Sequence, residues 1–217
     1  PILEPMELHL TAALKHALLS LDEKGRQEAH RAVRAEAERI RALPPGSARA
    51  RDLHARVDEA IRTFLEARPE LAGAVRCGKG CAHCCRVFVG ITEDEAILLA
   101  EEVKAGRARP DPTRLEIQRH WTAPSDFATH PREEAACVFL QQDGSCGVYT
   151  DRPSACRALL VASDPEGCRD AGAASRVLAL INPLAEGLVS AARTADAAGP
   201  LGESNLLARR LWEALQR

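Results

Sequence analysis

Apolar residues recur at helical spacing over most of the chain. Val33, Ala37, Ile40 and Leu43 fall on one helix face, and Pro44-Pro45-Gly46 closes the helix behind them. A second helix starts near Ser47 and carries Leu53, Val57, Ile61, Phe64 and Leu65 on one side. Arg and Glu alternate on the opposite faces of both, as on solvated amphipathic helices. The segment "LHLTAALKHALLSL" also reads as helix: His9, Lys15 and His16 interrupt it, and charge rather than a small-residue cleavage site follows. Pro69 then breaks the helical pattern.

The centre is less regular. "RVFVGI" reads as a short strand, and Thr92-Glu93-Asp94-Glu95 as a capping box opening a helix to about Lys104, with Gly106 near its end. A polar, Pro-rich stretch holds a short helix around Leu115 to Trp121. Val138 to Leu140 and Gly147 to Tyr149 flank Asp143-Gly144, a hairpin signal. A two-residue turn there sets Gln142 opposite Ser145 and Cys137 opposite Thr150. Cys146 then lies roughly 13 Å along the strand from the partner of Cys137, so the two reach one ion only if the hairpin is irregular. Pro153 suits the first turn of a helix carrying Cys156, and Ala174 to Ala192 and Ser204 to Trp212 read as helix again.

These elements predict a mainly α fold. Helical flanks pack around an irregular, metal-stabilised, cysteine-rich centre with at most one short β-hairpin. The expected division is residues 1–70 as an N-terminal helical region, 71–170 as a cysteine-cluster metal-binding domain, and 171–217 as C-terminal helices packing on the rest.

Hydrophobic residues make up 46% of the chain but aromatic ones 3%, so the core must be built from Leu, Val, Ile and Ala. With 29 basic against 31 acidic residues the net charge is -2, which argues against a nucleic-acid partner. No apolar run reaches the roughly 18 residues of a membrane span. The expected location is cytoplasmic.

The cysteines change the picture most. All eight lie between Cys77 and Cys168, four of them in "RCGKGCAHCCR". With no export signal, a reducing compartment disfavours disulfides, and thiolates are soft ligands for zinc, copper(I) or iron–sulfur clusters. Gly78 and Gly80 disfavour a regular helix between Cys77 and Cys81 and suit a turn whose N–H groups approach sulfur. Arg76, Lys79, Arg86, Arg152, Arg157 and Arg169 sit beside the thiols, where positive charge favours thiolate.

Adjacent side chains diverge on a helix or a strand, so Cys84 and Cys85 do not easily serve one tetrahedral ion together. Either one packs in the core or the two serve different metals. Eight thiols match two four-thiolate sites or a compact multinuclear one. His83, His120 and His130 are further candidate ligands, although the thiols already suffice to fill the sites. No nucleophile–base constellation, carboxylate pair or phosphate loop stands out, so no catalytic residue is assigned.

The pattern Cys77-x3-Cys81-x2-Cys84-Cys85, then Cys137, then "CGVYTDRPSACR" from Cys146 through Cys156, then Cys168, resembles the YkgJ-type cysteine-cluster family, a zinc- or iron-chelating CxxCxxCC domain. The resemblance covers roughly Cys77 to Cys168. It implies a metal-ligand role for Cys77, Cys81, Cys84, Cys85, Cys137, Cys146, Cys156 and Cys168. The expected cofactor is zinc, and the count of thiols sets it at two ions, with a structural, sensing, delivery or maturation role. Cys77-x3-Cys81-x2-Cys84 also resembles the three-cysteine pattern of radical-SAM enzymes, and the doublet that of flagellin lysine methylases. Those resemblances imply the alternative of iron or an iron–sulfur cluster in a redox enzyme. The strand–helix alternation of a barrel is missing, and a three-thiolate cluster leaves five cysteines unexplained.

Overall fold

The computed structural model describes residues 7–78, 80–164, 168, 179–196 and 205–217. Ten α-helices are found among them, so the fold is the mainly helical one that the apolar spacing predicts. Helices α1 (Ala12–Leu18), α2 (Glu23–Ala42) and α3 (Ser47–Glu66) come first. Helix α4 (Pro69–Ala74) follows, with Pro69 in its first turn rather than merely ending its predecessor.

A 3-10 turn, His83–Arg86, precedes α5 (Glu93–Lys104). The capping box is complete: the Thr92 hydroxyl accepts the Glu95 N–H, and the Glu95 carboxylate accepts the Thr92 N–H at 2.9 Å. Helix α6 (Pro112–Gln118) starts earlier than its apolar pattern indicates, because Asp111 caps it and Pro112 enters its first turn. A one-turn helix α7 (Asp126–Thr129) and the five-residue α8 (Ser154–Ala158) complete the centre. Helix α9 (Pro183–Ala195) is capped by Asn182, whose Nδ2 also donates to the Ala60 carbonyl of α3 at 2.9 Å. Helix α10 (Leu207–Leu215) ends the chain. Most of the expected helical stretch before α9 lies outside the described residues or is replaced by strand.

Two strand expectations are corrected. "RVFVGI" forms no strand: Gly90 makes an isolated bridge with Leu206, and Leu207 and Ile91 N–H groups bond Val89 and Asn205 carbonyls. The predicted hairpin around Asp143-Gly144 is a single bridge, Leu140 to Cys146. Its loop is three residues, Gln142-Asp143-Gly144, with Gly144 at φ 81°. Both arms fold into turns, closed by Leu140 N–H to Cys137 O and Tyr149 N–H to Cys146 O. The paired strands lie elsewhere: β1 (Leu160–Val161) runs antiparallel to β2 (Ala179–Leu180).

Two apolar cores result. The first joins α1, α2 and α3 to α9 through Leu14, Val33, Ala37, Leu53, Val57 and Leu188, and takes in Ala158 of α8. The second packs α5 and α10 with Trp121, Phe139 and Val148. Helix α3 meets α5 across an Arg49–Asp94 ion pair (3.1 Å) and an Arg51–Glu102 pair (3.1 Å). The cysteine-bearing loops lie against both cores: Cys137 and Cys146 pack on the second, and α8 on the first.

Candidate metal centre

Three local structures carry the thiols. The first is the loop before α5. A turn closes from Cys81 N–H to Gly78 O, with Gly80 at φ 92°, a left-handed conformation open to glycine at no steric cost. Arg76 N–H donates to Val161 O, and Val161 N–H returns a hydrogen bond to Cys77 Sγ at 3.2 Å, so β1 fixes Cys77. The 3-10 turn then carries Cys84 and Cys85, with Cys85 at φ -76°, ψ 18°.

The neighbouring Cys85 side chain, followed by burial, pushes the Cys84 thiol far above its ordinary value.

The second structure is the irregular turn from Cys137 to Cys146. Cys137 N–H donates to Cys85 O at 2.7 Å, which ties it to the doublet. Burial pushes the Cys137 thiol up to about 11, against the Phe139 N–H that bonds its sulfur and with the help of neighbouring Cys146. Cys146 repeats the device: burial raises it and the Val148 N–H opposes. The two thiols are neighbours because the hairpin is irregular. The two glycine turns also meet, since a Cβ on Gly144 would sit 3.6 Å from Gly80 O.

The third is α8, which buries Cys156. Burial raises its thiol well above the ordinary value, and Cys137, Cys84, Cys146 and Glu95 add to the effect. Cys168 completes the set, its thiol raised by burial and by Cys81 and Cys84. Cys77 is raised by burial, then by Cys84, Cys81 and Cys168, while the Val161 N–H opposes.

All eight cysteines are free and partly buried. They fall into two neighbourhoods, Cys77, Cys81 and Cys168 on one side and Cys137, Cys146 and Cys156 on the other. Cys84 lies within electrostatic reach of both. The sulfurs are neighbours without closing on a point: among the described residues, no group of three or more His, Cys, Asp and Glu side chains stands ready to hold an ion.

Of the basic residues that the sequence singles out, Arg152 acts on the thiols, and Arg114, which it does not single out, joins it. Arg152 acts on Cys84 and Cys146 and stacks on the Tyr149 ring at 4.1 Å. Arg114 of α6, 23 positions before Cys137 in sequence, acts on Cys137 and donates to Cys137 O at 3.2 Å. Arg157 turns away to Asp58, Arg86 bonds Ala82 O, and Arg76 bonds Gly73 O. Lys79 and Arg169 lie outside the described residues.

Of the histidines, His83 lines an open groove of about 440 Å³ with Cys81, Arg86 and Arg132. His120 sits by Glu116 on the surface, and His130 stacks on Trp121 at 4.5 Å, its Nδ1 bonded to Asp126 O.

Residues 76–171 match the family model CxxCxxCC, "Putative zinc- or iron-chelating domain". Over these residues the chain is similar to that family. Comparisons with curated proteins and with solved structures return no match. The donor chemistry of the matched segment fits the family's description. Soft sulfur donors dominate, a backbone N–H bonds the Cys77 sulfur at 3.2 Å, and the Arg114 and Arg152 guanidinium groups favour thiolate at Cys137, Cys84 and Cys146. The raised values of Cys77, Cys84, Cys137, Cys146, Cys156 and Cys168 mean that these six thiols keep their protons, which a cation bound there would have to displace.

Proposed function

We propose that the matched segment holds two metal ions through its eight cysteine thiolates, with zinc the leading candidate, in a reducing cytoplasm. The supporting observation is the position of Cys84 between the two thiol neighbourhoods. Cys137, Cys146 and Cys156 would serve an inner ion. Cys77, Cys81 and Cys168 would serve an outer one. Cys84 and its sequence neighbour Cys85 would complete both four-coordinate sets or bridge them.

The inner ion has a structural role, since it fastens turns that no regular ladder holds. The outer ion borders the groove at Cys81, and that access suits exchange, hence metal sensing, delivery or maturation. No residue is assigned a catalytic part.

Anaerobic purification, metal analysis and a visible spectrum test this. A colourless protein with two zinc ions per chain is expected. A brown protein with iron and acid-labile sulfide replaces the zinc reading with the iron–sulfur one. Cys84→Ser should lower metal content more than Cys85→Ser. One ion per chain with either doublet member dispensable sinks the two-ion reading.

A further inference from the structure

The helix that carries Cys156 is five residues long, too short to hold itself in water. Its position is set from outside, at both ends. At its start, Ser154 N–H donates to Glu95 Oε1 at 2.6 Å. Glu95 is 1% exposed, and the same oxygen faces His54 Nε2 of α3 at 3.1 Å. An ionised carboxylate accepts hydrogen bonds and donates none, so His54 carries the proton on Nε2. The second carboxylate oxygen is taken by Thr92 N–H and hydroxyl, which fixes the rotamer of Glu95. Farther along α8, Arg157 forms an ion pair with Asp58, one turn beyond His54 on α3. Arg157 Nε also donates to Arg152 O at 2.8 Å, and its other arm reaches Thr150 O. Both residues that grip α8 therefore lead back to α3, which lies before the matched segment of 76–171.

We propose that α3 is part of the metal centre's supporting shell. Through His54–Glu95 and Asp58–Arg157 it sets where Cys156 presents its sulfur. Glu95 and Asp58 are positioning residues, since neither is proposed to touch metal. The domain alone would keep eight cysteines and lose the alignment of one.

This rests on the thiolate-metal reading above. Groups that orient metal ligands typically account for 10–100-fold in affinity. The test uses the full chain, with zinc affinity from chelator competition and thiolate geometry from the absorption of the cobalt(II)-loaded protein. Glu95→Gln keeps shape but sets an amide N–H against either Thr92 or the His54–Ser154 pair of donors. Asp58→Asn lies on a half-exposed side chain and spares the core. Each should lower zinc affinity about tenfold or more. Each should also change the thiolate-to-cobalt absorption at unchanged cobalt stoichiometry, and Asp58→Glu should restore most of the loss. Glu116→Gln, on the surface of α6, should change neither readout. Wild-type affinity and spectrum in both Glu95→Gln and Asp58→Asn would overturn the positioning role alone. A wild-type chain that takes up no metal would overturn the thiolate-metal reading, and this inference with it. Should Glu95→Gln fail to fold, Asp58→Asn with the Asp58→Glu rescue decides.

Discussion

A carboxylate as enclosed as Glu95 would ordinarily take up a proton, since burial works to raise its pKa. His54, by hydrogen bond and by charge, and the Thr92 and Ser154 N–H groups outweigh burial and hold it at about 2, against an ordinary 4.5. A depressed folded value contributes stability that is complete above the unfolded pKa and is lost as pH falls through the folded one. Cys156, Arg157 and Arg193 also feel this carboxylate, and none of them titrates between pH 5 and 2. Denaturant unfolding of the chelated protein should therefore show wild type more stable than Glu95→Gln at pH 6. The gap, on the order of 3 kcal/mol, should close between about pH 4.5 and 2. A gap that stays constant across that window would remove the charged state of Glu95 from the account. His54→Leu strands the same carboxylate without its partner and should cost about 3–5 kcal/mol.

At the scale of elements, two glycine turns shape the thiol loops. Gly80 and Gly144 hold φ of 92° and 81°, where an L side chain costs about 1–2 kcal/mol. Gly80→Ala and Gly144→Ala should each destabilise by about that much. Their metal-affinity losses should exceed that of Gly73→Ala, whose added methyl meets nothing within 4 Å. Equal losses at all three positions would separate the turns from the metal. The same elements show what was legible in the sequence. The capping box at Thr92, the proline stop after α2 and the apolar faces of α2 and α3 are local signals, and the structure follows them. The hairpin was not legible. Asp143-Gly144 reads equally as a two-residue turn or as the end of a three-residue loop, and one residue of register moves every later partner. That Cys84 and Cys85 ride on a 3-10 turn is likewise something spacing does not encode. Glu95 read correctly as a cap, but its Oε1 reaches His54 and Ser154, 41 and 59 positions away, which no window along the chain can reveal.

Over the whole molecule, two apolar cores flank the thiol loops, and Phe139 and Val148 anchor the Cys137–Cys146 turn in the second of them. Chelation should loosen residues 77–168 first while α2, α3 and α9 keep their protection, and hydrogen exchange before and after metal removal measures this. A central segment unchanged by complete metal removal would end the structural role proposed for the inner ion. Among the described residues no helix is long and apolar enough to cross a membrane. The first core has a further consequence. Its face on α2 and α3 is closed by α9, which begins at Pro183, after the last cysteine at Cys168. During synthesis every thiol thus leaves the ribosome before the helix that seals the N-terminal layer. The nascent chain passes through an interval in which its sulfurs are open to ions and oxidants alike. Growth under metal limitation should lengthen that interval and increase mispaired, oxidised chains at birth, while the folded, loaded protein is left untouched.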